Sequence, residues 1–142
     1  MLVDAVRMSL HLDAVMGFVL YLLVALLVFG LYACLYTRLT PHKEWTLIRE
    51  GNVAAAIALG GALVGFAIPA ASAIAHSVSL VDFLVWALIA LVAQLGAFAL
   101  VNWVIRGLSA RIGNGESAAA ILSAAISISV GLLNAACMTP SV

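Results

Sequence analysis

The chain is predicted to be an all-α integral membrane protein, a four-helix bundle built from two parallel two-helix repeats. Three observations lead there. Hydrophobic residues make up 66% of the 142 positions and charged residues 8%, whereas roughly a quarter of a soluble domain is charged. Four apolar stretches are each long enough to cross a hydrocarbon core of about 30 Å at about 1.5 Å per residue. The second and fourth begin alike, GNVAAAI from Gly51 and GESAAAI from Gly115. Four spans with short connections take up nearly all of this length, leaving no room for a soluble catalytic domain. A formal net charge of zero provides no basic face to neutralise nucleic-acid phosphates. Cys34 and Cys137 lie in apolar segments without CxxC spacing, so neither a disulfide framework nor a zinc site is expected.

Residues 1–13 read as an interfacial lead. Leu2, Val3, Val6, Met8, Leu10 and Leu12 alternate with Asp4, Arg7 and His11, which suits a short helix lying in the membrane surface. A signal peptide is the competing reading, but the apolar run that follows is about 23 residues, longer than an h-region of about 7 to 15. The lead is therefore expected to be retained. The first span, Ala14 to Tyr36, is rich in Leu, Val, Phe and Tyr, and Tyr32 and Tyr36 fit an aromatic belt at the membrane boundary.

The longest polar connection, TRLTPHKEWTLIREGN, reads as a small interfacial helix. Thr40 is placed to cap it, Pro41 to occupy its first position and Gly51 to end it in a left-handed conformation. Pro41, Trp45 and Ile48 share a face for the headgroup boundary, and Lys43, Glu44, Arg49 and Glu50 are expected to stay in water. His42 and Glu44 beside Trp45 read as parts of this helix rather than as an acid/base pair, with a partner-docking face as the functional alternative.

Asn52 caps the second span, which runs to His76 and is made mostly of Ala and Gly. Ala54, Ala58 and Ala62 form a row at i+4 spacing, and Gly61 and Gly65 form a GxxxG pair beside it. Such residues allow close backbone approach, a main source of helix association in lipid. Pro69 removes one backbone hydrogen bond and predicts a bend, with neighbouring helices or a hydroxyl such as Ser72 taking up the freed carbonyl.

Residues 14–76 are thus a first two-span unit and 77–142 a second. The third span, Phe83 to Ile105, carries Trp86 and Trp103 near its ends and Gln94 near its middle. Arg106 and Arg111 mark the next connection, Asn114 and Gly115 supply a turn, and Glu116 and Ser117 suit a helix N-terminus. On the last span, Ala118 to Met138, Ser123, Ser127 and Asn134 fall within about 40° of each other at about 100° per residue, with Gly131 on the same side. Two readings apply: a hydrophilic stripe along a pore, or interhelical hydrogen bonds contributing about 0.6 kcal/mol each. The second is favoured. The Gln94 amide is expected to turn into the bundle, towards Ser127 or a carbonyl near Pro69, because leaving it unpaired costs several kilocalories per mole, on the order of 2 to 7.

The small-residue second and fourth spans are expected nearest the core, with the first and third facing more lipid. Every Asp, Glu, Lys and Arg maps to a connection or a span end, which argues against proton-coupled transport. His11, Asp13, His76 and Asp82 share one side but match no ligand spacing, so no metal, cofactor or catalytic residue is expected. The connections after spans one and three hold Arg38, Lys43, Arg49, Arg106 and Arg111 against Arg7 opposite, which predicts both termini outside, periplasmic in a bacterial inner membrane. Cys34 and Cys137 then lie near opposite membrane faces and are not expected to pair, since a disulfide needs alpha carbons within about 7 Å.

Gly51 to Ala73 aligns on Gly115 to Cys137 without a gap, and Asp13 with Asp82 and Phe29 with Phe98 align loosely. Shared alanine-rich composition is the competing explanation, but loop position, turn glycine and span order favour a duplication. Each unit holds two spans, so the copies enter the membrane in the same direction, unlike an inverted transporter repeat.

TPHKEWTLIREGNVAAAIALGGALVGFAIPAAS, the later LVAQL and the terminal GLLNAACM resemble the YjfL-like family of small bacterial inner-membrane proteins over residues 14–139. The longer N-terminal lead departs from it. The resemblance implies a multi-pass inner-membrane protein with a duplicated two-span unit and no established activity. It also implies association with envelope-stress proteins, and supplies no catalytic or binding residues. The function expected is a non-enzymatic, homo-oligomeric membrane component in envelope maintenance, embedded in the lipid bilayer and with an envelope-stress protein as a partner. The alternative is an oligomeric channel using the serine and asparagine stripe.

Overall fold

The computed structural model describes residues 1–138, and every regular element among them is a helix. In order they are α1 (Leu2–Ser9), α2 (Leu12–Leu39), α3 (Glu44–Arg49), α4 (Val53–His76), α5 (Leu80–Val104), α6 (Leu108–Gly113) and α7 (Ser117–Cys137). Four of them, α2, α4, α5 and α7, are long and apolar enough to cross a membrane. α1 buries none of its residues.

Helix α4 is the centre because its small residues let three neighbours approach its axis. Half of its most apolar stretch is buried, against 39% in α5, 22% in α7 and 6% in α2. The tightest pairing is with α7: a Cβ added to Gly61 would collide with Ala124, and one added to Gly131 would collide with the Gly65 carbonyl. The expected ranking needs one correction. α5 is more buried than α7, since Phe83, Ala87, Ala90, Leu91, Gln94, Phe98 and Val101 all face inward, while α7 leaves Ile121, Leu122, Leu132 and Leu133 exposed.

α2 is the least enclosed of the four, with its buried residues in its C-terminal half and Tyr21 of the other half meeting Phe83 at 6.2 Å between ring centroids. Val28, Tyr32 and Tyr36 are its buried residues, Tyr32 stacking on Phe66 with ring centroids 4.5 Å apart and Tyr36 meeting Phe98 edge-on at 4.8 Å. These tyrosines are interior packing residues, not members of an exposed aromatic belt. A ring that buries roughly 150–250 Å² gains more from the apolar groove between α4 and α5 than from the boundary.

The connection after α2 also differs from expectation. Thr40 ends α2, its backbone N–H bonding to the Tyr36 carbonyl and its hydroxyl to the Thr37 carbonyl at 3.1 Å. Pro41 and His42 lie in a bend, and α3 starts at Glu44 behind Lys43. Gly51 ends that segment with φ +86° and Gly115 ends the next with φ +82°, the left-handed geometry glycine adopts without steric penalty. The short helix α6 was not anticipated. It stands where α3 stands: Glu44 and Leu108, Gly51 and Gly115, and Val53 and Ser117 are each 64 positions apart.

Asn52 ties the two short segments together. Its Oδ1 accepts from the Ala55 N–H at 3.0 Å as the cap of α4, while its Nδ2 donates to the carbonyls of Ile112 at 3.2 Å and Gly113 at 3.1 Å, closing α6. Glu116, at the equivalent position before α7, instead takes a bidentate pair from Arg111. Asn52→Ala is expected to lower stability by about 2 kcal/mol, the cap plus two partly buried hydrogen bonds. Glu116→Ala should leave the melting temperature almost unchanged because the pair is exposed. Arg111 holds the Glu116 carboxyl below its ordinary range, chiefly through their hydrogen bond. Its small contribution is thus present above the ordinary carboxylate pKa and lost as pH falls through the lowered one. Thermal scans of both variants in one detergent check the contrast.

Candidate functional site

Two polar constellations lie within the apolar bundle. The first occupies the middle of the α4–α7 seam. Gln94 is 2% exposed, and its Nε2 donates to the backbone carbonyl of Ser127 at 3.1 Å. Gly65 makes room for it, since a Cβ there would stand 2.8 Å from that nitrogen and 2.5 Å from the Ser127 oxygen. Asn134 donates to the Ala90 carbonyl at 3.3 Å, and Ser123 and Ser127 are buried. Pro69 is buried in α4, and the carbonyl it leaves without an intrahelical donor, that of Gly65, lies against Gly131. Ser72 does not serve that carbonyl. Its hydroxyl crosses to the Ala135 carbonyl at 3.2 Å. Ala54, Ala58, Gly61, Ala62 and Gly65 are all buried along α4.

The second constellation is at the end of the bundle that carries α3 and α6. Glu44, expected in water, is 2% exposed. His42 Nε2 donates to its Oε1 at 3.1 Å, with both side chains sequestered. The remaining atoms of the pair, His42 Nδ1 and Glu44 Oε2, are buried and find no hydrogen-bond partner among the described residues. Trp45 and Pro41 are exposed as expected, but Ile48, expected beside them on the outward face, is half-buried and packs against the core, and Glu44 likewise faces inward.

Periodicity places Glu44 on α3 without saying which side the bundle covers. The register between the halves does carry that signal: Glu44 stands 64 positions before Leu108 and Ile48 before Ile112, and Leu108 and Ile112 are the buried residues of α6. An acid therefore occupies what is a core leucine in the other half. Beside it an open cleft of about 660 Å³ separates α3 from α6, with His42, Lys43, Ser109 and Asn114 in its lining. Among the described residues no three His, Cys, Asp or Glu side chains gather to hold a metal. His76 Nδ1 is engaged by the Ser72 carbonyl and Asp82 by the Val78 N–H. Cys34 and Cys137 are both free.

A family model described as Domain of Unknown Function (DUF350) matches residues 9–138. The chain belongs to the DUF350 family. Two relatives share 38% identity over 128 residues, covering 90% of this chain and 97% of theirs: the UPF0719 inner membrane protein YjfL of Escherichia coli strain K12 and that of Escherichia coli O157:H7. No solved structure matches. This DUF350 chain is accordingly an inner-membrane protein of the multi-pass type, with four membrane-length helices, and the relatives' description names no activity. The family match begins at residue 9, so nearly all of α1 precedes it.

Proposed function

We propose that this DUF350 protein is a non-enzymatic membrane component that works as a homo-oligomer in envelope maintenance. It is built from a duplicated two-span unit, with its α3/α6 end in the cytoplasm and both termini in the periplasm. What carries the reading is the use made of the intramembrane polar groups. Gln94 and Asn134 each reach a backbone carbonyl of a neighbouring helix, and Ser123 and Ser127 are enclosed by packed residues. These two bonds fasten neighbouring helices together, which supports a packing role for the stripe over a solute path. The cytoplasmic placement is supported by the gathering of Arg38, Lys43, Arg49, Arg106 and Arg111 at one end. The exposed Trp45 face and the cleft beside His42 offer an envelope-stress protein a surface to dock on. Crosslinking in native membranes with mass spectrometry would identify that partner.

Purified protein in liposomes tests the reading against the channel alternative. Gln94→Leu is expected to lower stability by about 1 kcal/mol, the scale of an interhelical hydrogen bond in a membrane, and to leave solute flux at the level of empty liposomes. Flux through the wild-type protein that Gln94→Leu alters in a stable bundle would overturn it.

A further inference from the structure

The cleft of about 660 Å³ between α3 and α6 has the size of a small-molecule site, about 300–1,000 Å³, and its lining sorts into two kinds of group. Lys43 and Thr46 on the α3 wall and Ser109 and Asn114 on the α6 wall bring an ammonium, two hydroxyls and an amide, while Leu47 and Ala110 bring apolar surface. Among the described residues the side chains of Lys43, Thr46, Ser109 and Asn114 make no hydrogen bond or ion pair within the chain. Thr37 and Ser129, by contrast, close on the carbonyls of Ala33 at 2.9 Å and Ala125 at 2.7 Å. No acid among the described residues joins the lining: Glu44 is turned into the core and Glu116 is held by Arg111. A cleft with free donors, a cation and no acid is built for oxygen acceptors that carry negative charge.

Depth narrows the ligand further. α3 joins α2 to α4 and α6 joins α5 to α7, so the cleft stands where the spans end. Trp45 is 55% exposed on α3 and Trp103 80% exposed at the end of α5, and such rings settle at the level of lipid headgroups. His42 gives a second, independent indication. It belongs to the same lining, its side chain is 8% exposed with Nε2 committed to Glu44, and its buried Nδ1 has no partner among the described residues. A phosphate suits that nitrogen in either protonation state: a P–O⁻ oxygen accepts from the doubly protonated ring, and the P–OH of a monoester donates to the neutral one. Nδ1 lies covered, so this bond forms after the open donors have engaged the ligand and the ring has turned towards it.

We propose that the cleft binds a phosphate ester, with Lys43, Thr46, Ser109 and Asn114 holding its oxygens, His42 behind them, and Leu47 and Ala110 against the adjoining carbon chain. Bonds from these donors to a charged oxygen are roughly twice as strong as bonds between neutral groups. The same chemistry is offered by two sources, the headgroup of a membrane phospholipid and a soluble phosphate ester. The inference is independent of the oligomeric reading above. It fills the cleft and leaves the Trp45 face, which is outside the lining, to a protein partner.

Native mass spectrometry of the full chain in a neutral detergent tests the site. Dioctanoyl phosphatidylglycerol is expected to bind as a single molecule per chain, and dioctanoylglycerol, which lacks the phosphate, about tenfold or more weakly. Lys43→Ala combined with Ser109→Ala should weaken the phosphatidylglycerol complex by about tenfold or more, the scale of one lost bond to a charged group. Without lipid the same variant should melt within about 2 °C of the wild type, as surface changes that break no contact do. Ala110→Trp, at an exposed position of the lining, should give the same loss by filling the cleft. Arg49→Ala removes an exposed charge at the same end but outside the lining and should weaken binding less than about threefold. Competition separates the sources: displacement by inorganic phosphate or glycerol phosphate at concentrations near the lipid's own assigns the site to a soluble ester, and displacement only at far higher ones assigns it to the lipid. Equal binding of dioctanoylglycerol would show an apolar groove, and a loss in Arg49→Ala equal to that of the double variant would show diffuse charge attraction. Either result would overturn the proposal, as would full binding in Ala110→Trp or no binding of the lipid and of both phosphates.

Discussion

Gly65→Leu is expected to disrupt the bundle more than any other single substitution on α4. Even the first carbon of a side chain at that position would stand 2.5 Å from the Ser127 carbonyl oxygen and 2.8 Å from the Gln94 amide nitrogen. Neither neighbour is a flexible chain end: one is backbone, and the other is held by the hydrogen bond that the two share. α4 and α7 must separate, which adds an overpacking cost of about 1–3 kcal/mol to the loss of a buried hydrogen bond costing about 1–3 kcal/mol. Gly65→Ala should therefore already lower the melting temperature, and Gly61→Leu should approach Gly65→Leu, because Ala124 blocks it. The controls run the other way. Leu26 is 55% exposed, so Leu26→Phe should change little, and Gly30→Ala, with nothing within 4 Å, should be neutral or slightly stabilising. Fluorescence-detected thermal scans of these variants give the ranking, and equal tolerance at Gly65 and Leu26 would refute close packing as the basis of the seam.

Removing His42 alone should be the second large effect, and removing both members of the pair should be milder than removing one. Among the described residues Glu44 has a single hydrogen-bond partner and one buried oxygen without any, so His42→Ala leaves a carboxylate buried without compensation, a change that costs about 3–5 kcal/mol. The double change His42→Leu with Glu44→Leu places at position 44 the residue type buried at Leu108. Replacing a buried pair with apolar groups of similar volume is often neutral or stabilising by about 1–4 kcal/mol, so this variant should melt near or above the wild type. The same variant separates structure from function. If the pair serves the protein's activity, a strain carrying the stable double variant should behave as a deletion under envelope stress. A double variant less stable than His42→Ala would show that the pair is not a buried charge at all.

Most of the architecture was legible because it rests on quantities that a chain carries locally. Length and apolarity set the four crossings, Asn52 and Gly51 the entry to α4, and the Ala54, Ala58, Ala62 row with Gly61 and Gly65 its packing face. A buried amide needs a donor or acceptor within reach, and from depth alone Gln94 had Ser127 as its nearest polar neighbour. Tyr32, Tyr36, Thr40, Glu44 and Ser72 were assigned to other surroundings for a common reason. Each lies on a helix or bend whose two sides look alike in sequence, and which side is covered depends on the path of α2 across α4 and α5 or, for Ser72, on how α4 meets α7.

What the sequence by itself determined is thus the class of object, its spans, its turn glycines and the helix face available for close approach, since backbone hydrogen bonding in lipid leaves a chain of this composition no regular element but the helix. Only the tertiary structure decided that Glu44 occupies a core position beside His42 and that α5 is more enclosed than α7. These follow from the rotation of each helix about its own axis, which is set jointly by neighbours distant in sequence. Small residues on several sides of α4 would have accepted more than one such rotation until Gly61 met Ala124 and Gly65 met Gly131.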